Sequence, residues 1–83
     1  MNKVYVVLYV PIIGEKYEVM IPISRKIHSI NALLVKSVSE LSGGVFPSDS
    51  KALLYRKKNG QPYDLNITIK ESDIRNGTEV ILV

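Results

Sequence analysis

Alternating apolar and polar positions at the start of the chain predict a β-strand over residues 3–10. Valine or leucine occupies every even position of this segment, and the odd positions carry Lys3, Tyr5, Val7 and Tyr9. Successive side chains of a strand point to opposite faces, and a lysine is costly to bury. We therefore expect the even positions to face the core and the odd positions to face outward.

A second alternating segment, residues 16–23, follows a loop at residues 11–15 that contains Gly14. The two segments together predict a hairpin. Pro22 has no N–H to give to a neighbouring strand, which places the second strand at an edge of the sheet. Its inward positions are expected to be Tyr17, Val19, Ile21 and Ile23.

Helical spacing replaces the alternation over residues 29–41. Ser29 is the expected N-cap, and the pair Gly43-Gly44 supplies a left-handed stop. One apolar stripe along this segment is expected to face the sheet. Its members are Ile30, Leu33, Leu34, Val38 and Leu41.

Strand patterns return in the second half of the chain. Residues 52–57 form the expected third strand, whose phase we set by placing Arg56 outward; Leu54 is then outward and Leu53 and Tyr55 inward. Asn59-Gly60 is a tight-turn signal that leads into a short strand at residues 63–65.

The closing segment reads as one helical turn at residues 70–74, an Asn76-Gly77 turn, and a strand at residues 78–83. Val80 and Leu82 are its expected inward positions.

The order ββαβββ predicts an α+β fold in which one helix packs on a mixed five-stranded sheet, an arrangement that resembles the ubiquitin-like β-grasp. We take residues 1–83 as a single domain. The first and last strands are expected to lie parallel in the centre, because the helix supplies the crossover between them. The expected strand order is 2-1-5-3-4.

Composition fits a folded domain and narrows the function classes. Hydrophobic residues make up 46% and charged residues 23%, and the absence of cysteine excludes disulfides and thiolate sites. The apolar start is too short to span a bilayer and lacks a cleavage signal, so we expect a cytoplasmic protein without membrane insertion. The net charge of +3 is scattered apart from Arg25-Lys26 and Arg56-Lys57-Lys58. Nucleic-acid binding is therefore the less favoured interpretation, kept as an alternative.

No residue pattern in the chain predicts catalysis. The single histidine, His28, stands beside Ser29 without a spacing that identifies a hydrolytic triad. The carboxylates are too scattered to predict a metal site, and the glycines do not form a phosphate-binding loop. We expect no catalytic, cofactor-binding or metal-binding residues, and no enzyme activity.

The outward face of the sheet is the best candidate for a functional site. In the expected strand order, three adjacent strands place aromatic, aliphatic and arginine side chains side by side, a composition typical of protein interfaces. The alternative is an ordinary sheet surface, in which tyrosine and valine reflect strand propensity alone. The predicted partner-interface residues are Tyr5, Val7, Tyr9, Leu54, Arg56, Ile81 and Val83.

The whole chain resembles the ubiquitin-like superfamily in its first hairpin, in the helix ending at Gly43-Gly44, and in the closing segment from Ile69 to Leu82. Within that superfamily it resembles the YukD/EsaB group, whose members close with Ile-x-x-Gly-x-x-hydrophobic, as Ile74, Gly77 and Val80 do here.

The resemblance implies a cytosolic accessory or regulator of a type VII secretion system in Gram-positive bacteria. Because the sequence ends at Val83 without a diglycine tail, we expect a module that is not conjugated and that works by binding a protein partner. That partner is expected to be a component of the secretion system. An adaptor for another assembly is the alternative; oligomeric state is left open.

Overall fold

A computed structural model describes residues 2–83. The chain forms a single mixed sheet of four strands with one helix, in the strand order β2-β1-β4-β3 over the residues described. Strands β1 and β4 run parallel in the centre, and β2 and β3 are antiparallel to their neighbours. The elements are β1 (Lys3–Val10), a 3₁₀ turn (Pro11–Ile13), β2 (Glu15–Pro22), α1 (Ile27–Leu41), β3 (Leu54–Arg56) and β4 (Thr78–Leu82).

The hairpin and the closing strand follow the predicted phase. The even positions of β1 are at most 9% exposed, and Val80 and Leu82 of β4 are fully buried. Strand β2 lies at the edge, with Pro22 opposite Lys3. These predictions are confirmed, and so is the central parallel pair.

The helix begins at Ile27, two residues earlier than predicted, and Ser29 is not its N-cap. The backbone of a later loop takes over the capping role. The N–H groups of Ile27 and His28 donate to the carbonyl oxygens of Ile67 and Leu65 at 2.9 and 3.1 Å. Because these bonds satisfy helix N–H groups that would otherwise lack partners, no side-chain cap is needed.

The buried stripe of α1 is also rotated from the predicted one. Leu33 is 40% and Leu41 58% exposed, because Leu33 points away from the sheet and Leu41 borders an open cleft after the last core-facing turn. The predicted Ile30, Leu34 and Val38 are buried, as expected. The stripe is completed by Ile27, Asn31 and Val35.

The predicted fifth strand at residues 63–65 is absent, and the prediction of five strands is wrong for the residues described. After β3 the chain folds back on itself: the Arg56 N–H donates to the carbonyl of Gln61 at 2.9 Å, and Gly60 takes a φ of 71°. Pro62 forms a single bridge to Tyr55 and has no N–H to extend a ladder. Tyr63 then turns into the core instead of continuing a strand.

The helical turn predicted at residues 70–74 is instead a single hydrogen-bonded turn at residues 68–72, two residues earlier. The Ser72 N–H donates to the carbonyl of Thr68 at 3.1 Å. The carboxylate of Glu71 accepts hydrogen bonds from the N–H and hydroxyl of Thr68, which lowers the pKa of Glu71 below its ordinary value. This turn positions the Asn76-Gly77 turn at the entry to β4.

Candidate interaction surface

The sheet has one face covered by α1 and one open face, which we call the outer face. It consists of the odd positions of β1, β3 and β4 and the even positions of β2, together with Leu53 and Val83, whose backbone groups pair at 2.9 and 3.0 Å just past β3 and β4. The strand register places Tyr5 beside Met20 and places Ile81 between Tyr9 and Tyr55.

Several large apolar side chains of the outer face are exposed. Met20 is 60% exposed, Val83 65%, Tyr5 42% and Leu53 38%. Half-buried side chains on β1, β3 and β4 lie among them: Val7, Tyr9, Tyr55 and Ile81. An apolar surface that extends across four adjacent strands exceeds the scattered exposure expected of an ordinary surface.

The Tyr9 ring is fixed at the centre of this face by charged neighbours. Its hydroxyl donates to Oε2 of Glu79 at 2.7 Å, and the Lys57 and Lys16 amino groups lie 4.9 and 6.0 Å from its ring centre. The hydrogen bond to Glu79 raises the pKa of Tyr9 above its ordinary value. The Tyr9 ring is therefore oriented on the outer face, beside two cations.

Tyr5 is held in place by the turn that precedes β4. The Gly77 N–H donates to the Tyr5 carbonyl, and the Tyr5 N–H donates to Oδ1 of Asn76, both at 3.0 Å. Gly77 has a φ of 85°, and a β-carbon at this position would lie 3.2 Å from the Tyr5 hydroxyl. Glycine is thus favoured at position 77 by its left-handed backbone and, to a smaller degree, by the nearby Tyr5 hydroxyl.

Leu54 does not belong to the outer face, so the predicted phase of the third strand is wrong. Leu54 is 1% exposed and pairs with Leu82, whose side chain faces the helix. Neighbouring residues in register share a face, so Leu54 joins the core and Leu53 and Tyr55 turn outward. The outer face therefore carries Leu53 where the sequence predicted Leu54.

Arg56 also lies on the helix side, where it braces the fold. Its Nε donates to Oδ2 of Asp73 and one terminal nitrogen donates to the Pro62 carbonyl, both at 2.9 Å. The guanidinium lies 4.3 Å from the centre of the Tyr63 ring. The prediction placed Arg56 outward to avoid burying its charge, but at the end of β3 the charge is satisfied by these three partners.

The buried Tyr63 side chain is expected to make the stability of the domain fall at alkaline pH. The pKa of Tyr63 is raised from 10.0 to about 12, mainly by burial and also by the nearby Asp73 carboxylate, with Arg56 opposing the shift. A raised folded-state pKa means that this stabilisation is complete below pH 10 and is lost as the pH rises from 10 to 12. We expect a loss of up to about 3 kcal/mol over that range. Urea unfolding of the wild type and Tyr63→Phe across the range measures it: equal pH slopes in the two proteins would contradict this assignment.

Five of the predicted interface residues share the outer face with others that the sequence analysis did not select. The outer face includes Tyr5, Val7, Tyr9, Ile81 and Val83 as predicted, and adds Met20, Leu53 and Tyr55. Met20 could have been found from its outward position in β2, because the hairpin register already places it beside Tyr5.

The remaining chemistry-bearing side chains do not converge on a second site in the described residues. The His28 Nδ1 lies 3.4 Å from the Ser29 hydroxyl on the exposed surface. Within residues 2–83 no three histidine, aspartate or glutamate side chains are grouped closely enough to hold a metal ion. The single helix of this part of the chain has neither the length nor the apolar run needed to cross a membrane.

No protein-family model and no curated protein matches this sequence. Solved structures do match, over the full length of the chain. The EccD5 ubiquitin-like domain of Mycobacterium xenopi has a TM-score of 0.79 at 16% identity, with 94% of that domain covered. The ubiquitin-like domain of the Mycobacterium tuberculosis type VII secretion protein EccD1 has a TM-score of 0.68 at 15% identity, with 99% covered.

A third match places the same fold inside a larger protein. A chain of the MycP5-free ESX-5 inner membrane complex has a TM-score of 0.82 at 16% identity, and this protein spans 21% of that chain. A chain of the toluene 4-monooxygenase complex also matches, with a TM-score of 0.76 at 12% identity. The TM-scores establish the fold, whereas sequence identities this low leave the activity open. The protein has a ubiquitin-like α+β fold.

Proposed function

We propose that this protein is a non-enzymatic ubiquitin-like module that binds a protein partner through the outer face of its sheet. The observation that carries the proposal is the exposed apolar surface across four strands, with Met20 60% and Tyr5 42% exposed. Aromatic residues and methionine are enriched in the apolar cores of protein interfaces, and tyrosines are frequent hot spots.

The finer proposal is that the partner belongs to a bacterial type VII secretion system, where the protein acts in the cytoplasm as an accessory or regulatory component. Two kinds of likeness support it. The closing pattern of Ile74, Gly77 and Val80 resembles the YukD/EsaB group. Ubiquitin-like domains of EccD proteins share the fold along the entire chain.

A small nucleic-acid-binding domain is the second candidate, favoured by the two lysines that flank the Tyr9 ring. Base stacking on tyrosine beside cations is a common mode of single-strand binding. Against it, Glu18 and Glu79 lie on the same face, next to Val7 in the strand register. These carboxylates would repel a phosphate backbone, so a protein partner fits the face better.

Capture from an extract of the native cell tests the proposal with three tagged proteins: the wild type, a Tyr5→Ser/Ile81→Ser variant, and a Leu33→Ser control. Leu33 is exposed on the helix, away from the outer face. The wild type and the control should recover the same protein, and the double variant at least about tenfold less, because two hot-spot contacts are lost. Circular dichroism establishes that all three are folded.

Equal recovery with the folded double variant would overturn the role of the outer face. A recovered membrane component of a secretion system is the result that the finer proposal predicts. Recovery of a component of another assembly, dependent on Tyr5 and Ile81, would keep the interface and reject the secretion role. Nuclease-sensitive recovery of nucleic acid would favour the second candidate.

A further inference from the structure

Strand β2 has an open backbone edge along its length. The Ile23 N–H donates to the Asn2 carbonyl at 3.0 Å, which fixes the alternation of the ladder: the odd positions of β2 bond to β1. The backbone groups of Lys16, Glu18 and Met20 therefore point away from the sheet. Within residues 2–83 no hydrogen bond to another segment involves these groups.

Such an edge pairs readily with another strand unless charges or proline discourage it. Here the edge carries Lys16, Glu18 and Pro22. These residues disfavour an arbitrary strand and permit one whose charges are complementary. The opposite charges of Lys16 and Glu18, two residues apart on one face, make the edge complementary to itself.

We propose that two copies of this chain pair β2 against β2, antiparallel, with Lys16 of each copy opposite Glu18 of the other. A two-fold axis perpendicular to the sheet allows three registers near the strand centre. Each of them pairs residues whose backbone groups point to the open edge. One places Glu18 opposite Glu18, a like-charge pair that is destabilising. Another places Glu18 opposite Met20 and Lys16 opposite Pro22, so that neither charge meets an opposite charge.

Of the three, the third register alone brings opposite charges together. It forms two Lys16–Glu18 ion pairs on the outer face, each across a hydrogen-bonded pair of residues. Tyr17 lies opposite Tyr17 of the second copy at the axis, on the helix side. In this register the strand residues that pair are positions 15–19 of each copy, and Met20, 60% exposed, lies just past the paired segment.

This pairing joins two four-stranded sheets into one continuous sheet and brings both outer faces to the same side. Tyr5, Tyr9 and Ile81 remain uncovered, because they lie on β1 and β4. The dimer would therefore present the outer face twice. A partner with two binding sites would gain affinity through avidity, without any new contact.

A charge-swap experiment tests the register, using sedimentation equilibrium on the wild type, Lys16→Glu and Glu18→Lys. Each single substitution converts both ion pairs into like-charge pairs, and we expect each variant alone to dimerise about tenfold more weakly than the wild type. An equimolar mixture of the two variants should dimerise like the wild type, because the two carboxylates of one copy then face the two amino groups of the other. The double variant Lys16→Glu/Glu18→Lys should also recover.

Glu18→Pro is the backbone control, since it removes an N–H that β1 does not use and should abolish dimerisation in a folded protein. In a mixture of isotope-labelled and unlabelled wild type, the register predicts a nuclear Overhauser effect between the Tyr17 α-protons of the two copies. A wild type that stays monomeric up to about 1 mM protein would overturn the proposal. So would a dimer insensitive to the charge swaps, or an edge that binds an unrelated extended peptide but no second copy.

Discussion

Replacement of Leu54 by alanine is expected to lower the free energy of unfolding by about 2–5 kcal/mol, whereas Leu53→Ala should cost about 1 kcal/mol or less. Leu54 is 1% exposed and Leu53 38%. The buried side chain leaves a cavity between the sheet and the helix when it is truncated, while the exposed one loses little contact. A loss of this size is a large part of the stability of a small domain.

Urea unfolding followed by circular dichroism measures both variants, with Leu53→Ala as the matched control one residue away. The result expected is a large shift of the midpoint for Leu54→Ala with an unchanged slope. A greater loss for Leu53→Ala than for Leu54→Ala would mean that β3 has the opposite phase, and that Leu54 faces outward after all.

A second pair of adjacent substitutions tests the hydrogen-bond pattern of β2. Val19→Pro is expected to cost about 3 kcal/mol or more, because Val19 lies opposite Val6 in a hydrogen-bonded pair and its N–H is needed by β1. Glu18→Pro should be tolerated, with a loss of about 1 kcal/mol or less, because its N–H points to the open edge.

Thermal unfolding of the two proline variants provides the measurement. Val19→Pro should melt far below Glu18→Pro or fail to fold, and the Glu18→Pro spectrum should match that of the wild type. If Glu18→Pro were the more destabilised of the two, the edge of β2 would be covered or the ladder would have the other alternation.

Segments with a long, regular pattern could be predicted from the sequence. The eight-residue strands of the hairpin keep their alternation over most of their length, with Val7 and Met20 as the apolar outward exceptions, and Pro22 marks the edge directly. In β4, which is five residues long, placing the charged Glu79 outward sets Val80 and Leu82 inward, and the structure has this phase. These segments contain most of the outer face, which explains why Tyr5, Val7, Tyr9 and Ile81 were predicted correctly to lie there.

Predictions that depended on tertiary partners were wrong for identifiable reasons. Strand β3 has only three residues, and its phase was set by a single charge. Arg56 can point to the helix side because its guanidinium binds the Asp73 carboxylate, the Pro62 carbonyl and the face of the Tyr63 ring. None of these partners can be recognised from the sequence around Arg56. A short strand with one charged residue does not fix its own phase.

The helix start shows the same dependence. Ser29 is a good N-cap by residue type, but the carbonyl groups of Leu65 and Ile67, far along the chain, bind the first N–H groups instead. The buried position of Asn31 inside the helix stripe could not be predicted from polarity either, because an amide is expected at the surface.

An NMR footprint of the bound partner tests the central claim most directly: the protein works as a binding module through the open face of its sheet. The partner recovered by capture would be titrated into isotope-labelled protein, and backbone and side-chain shifts recorded. We predict that the changes concentrate at Tyr5, Val7, Tyr9, Tyr55 and Ile81. Changes confined to the exposed positions of α1, around Leu33 and Leu41, with the outer face unaltered would contradict the claim.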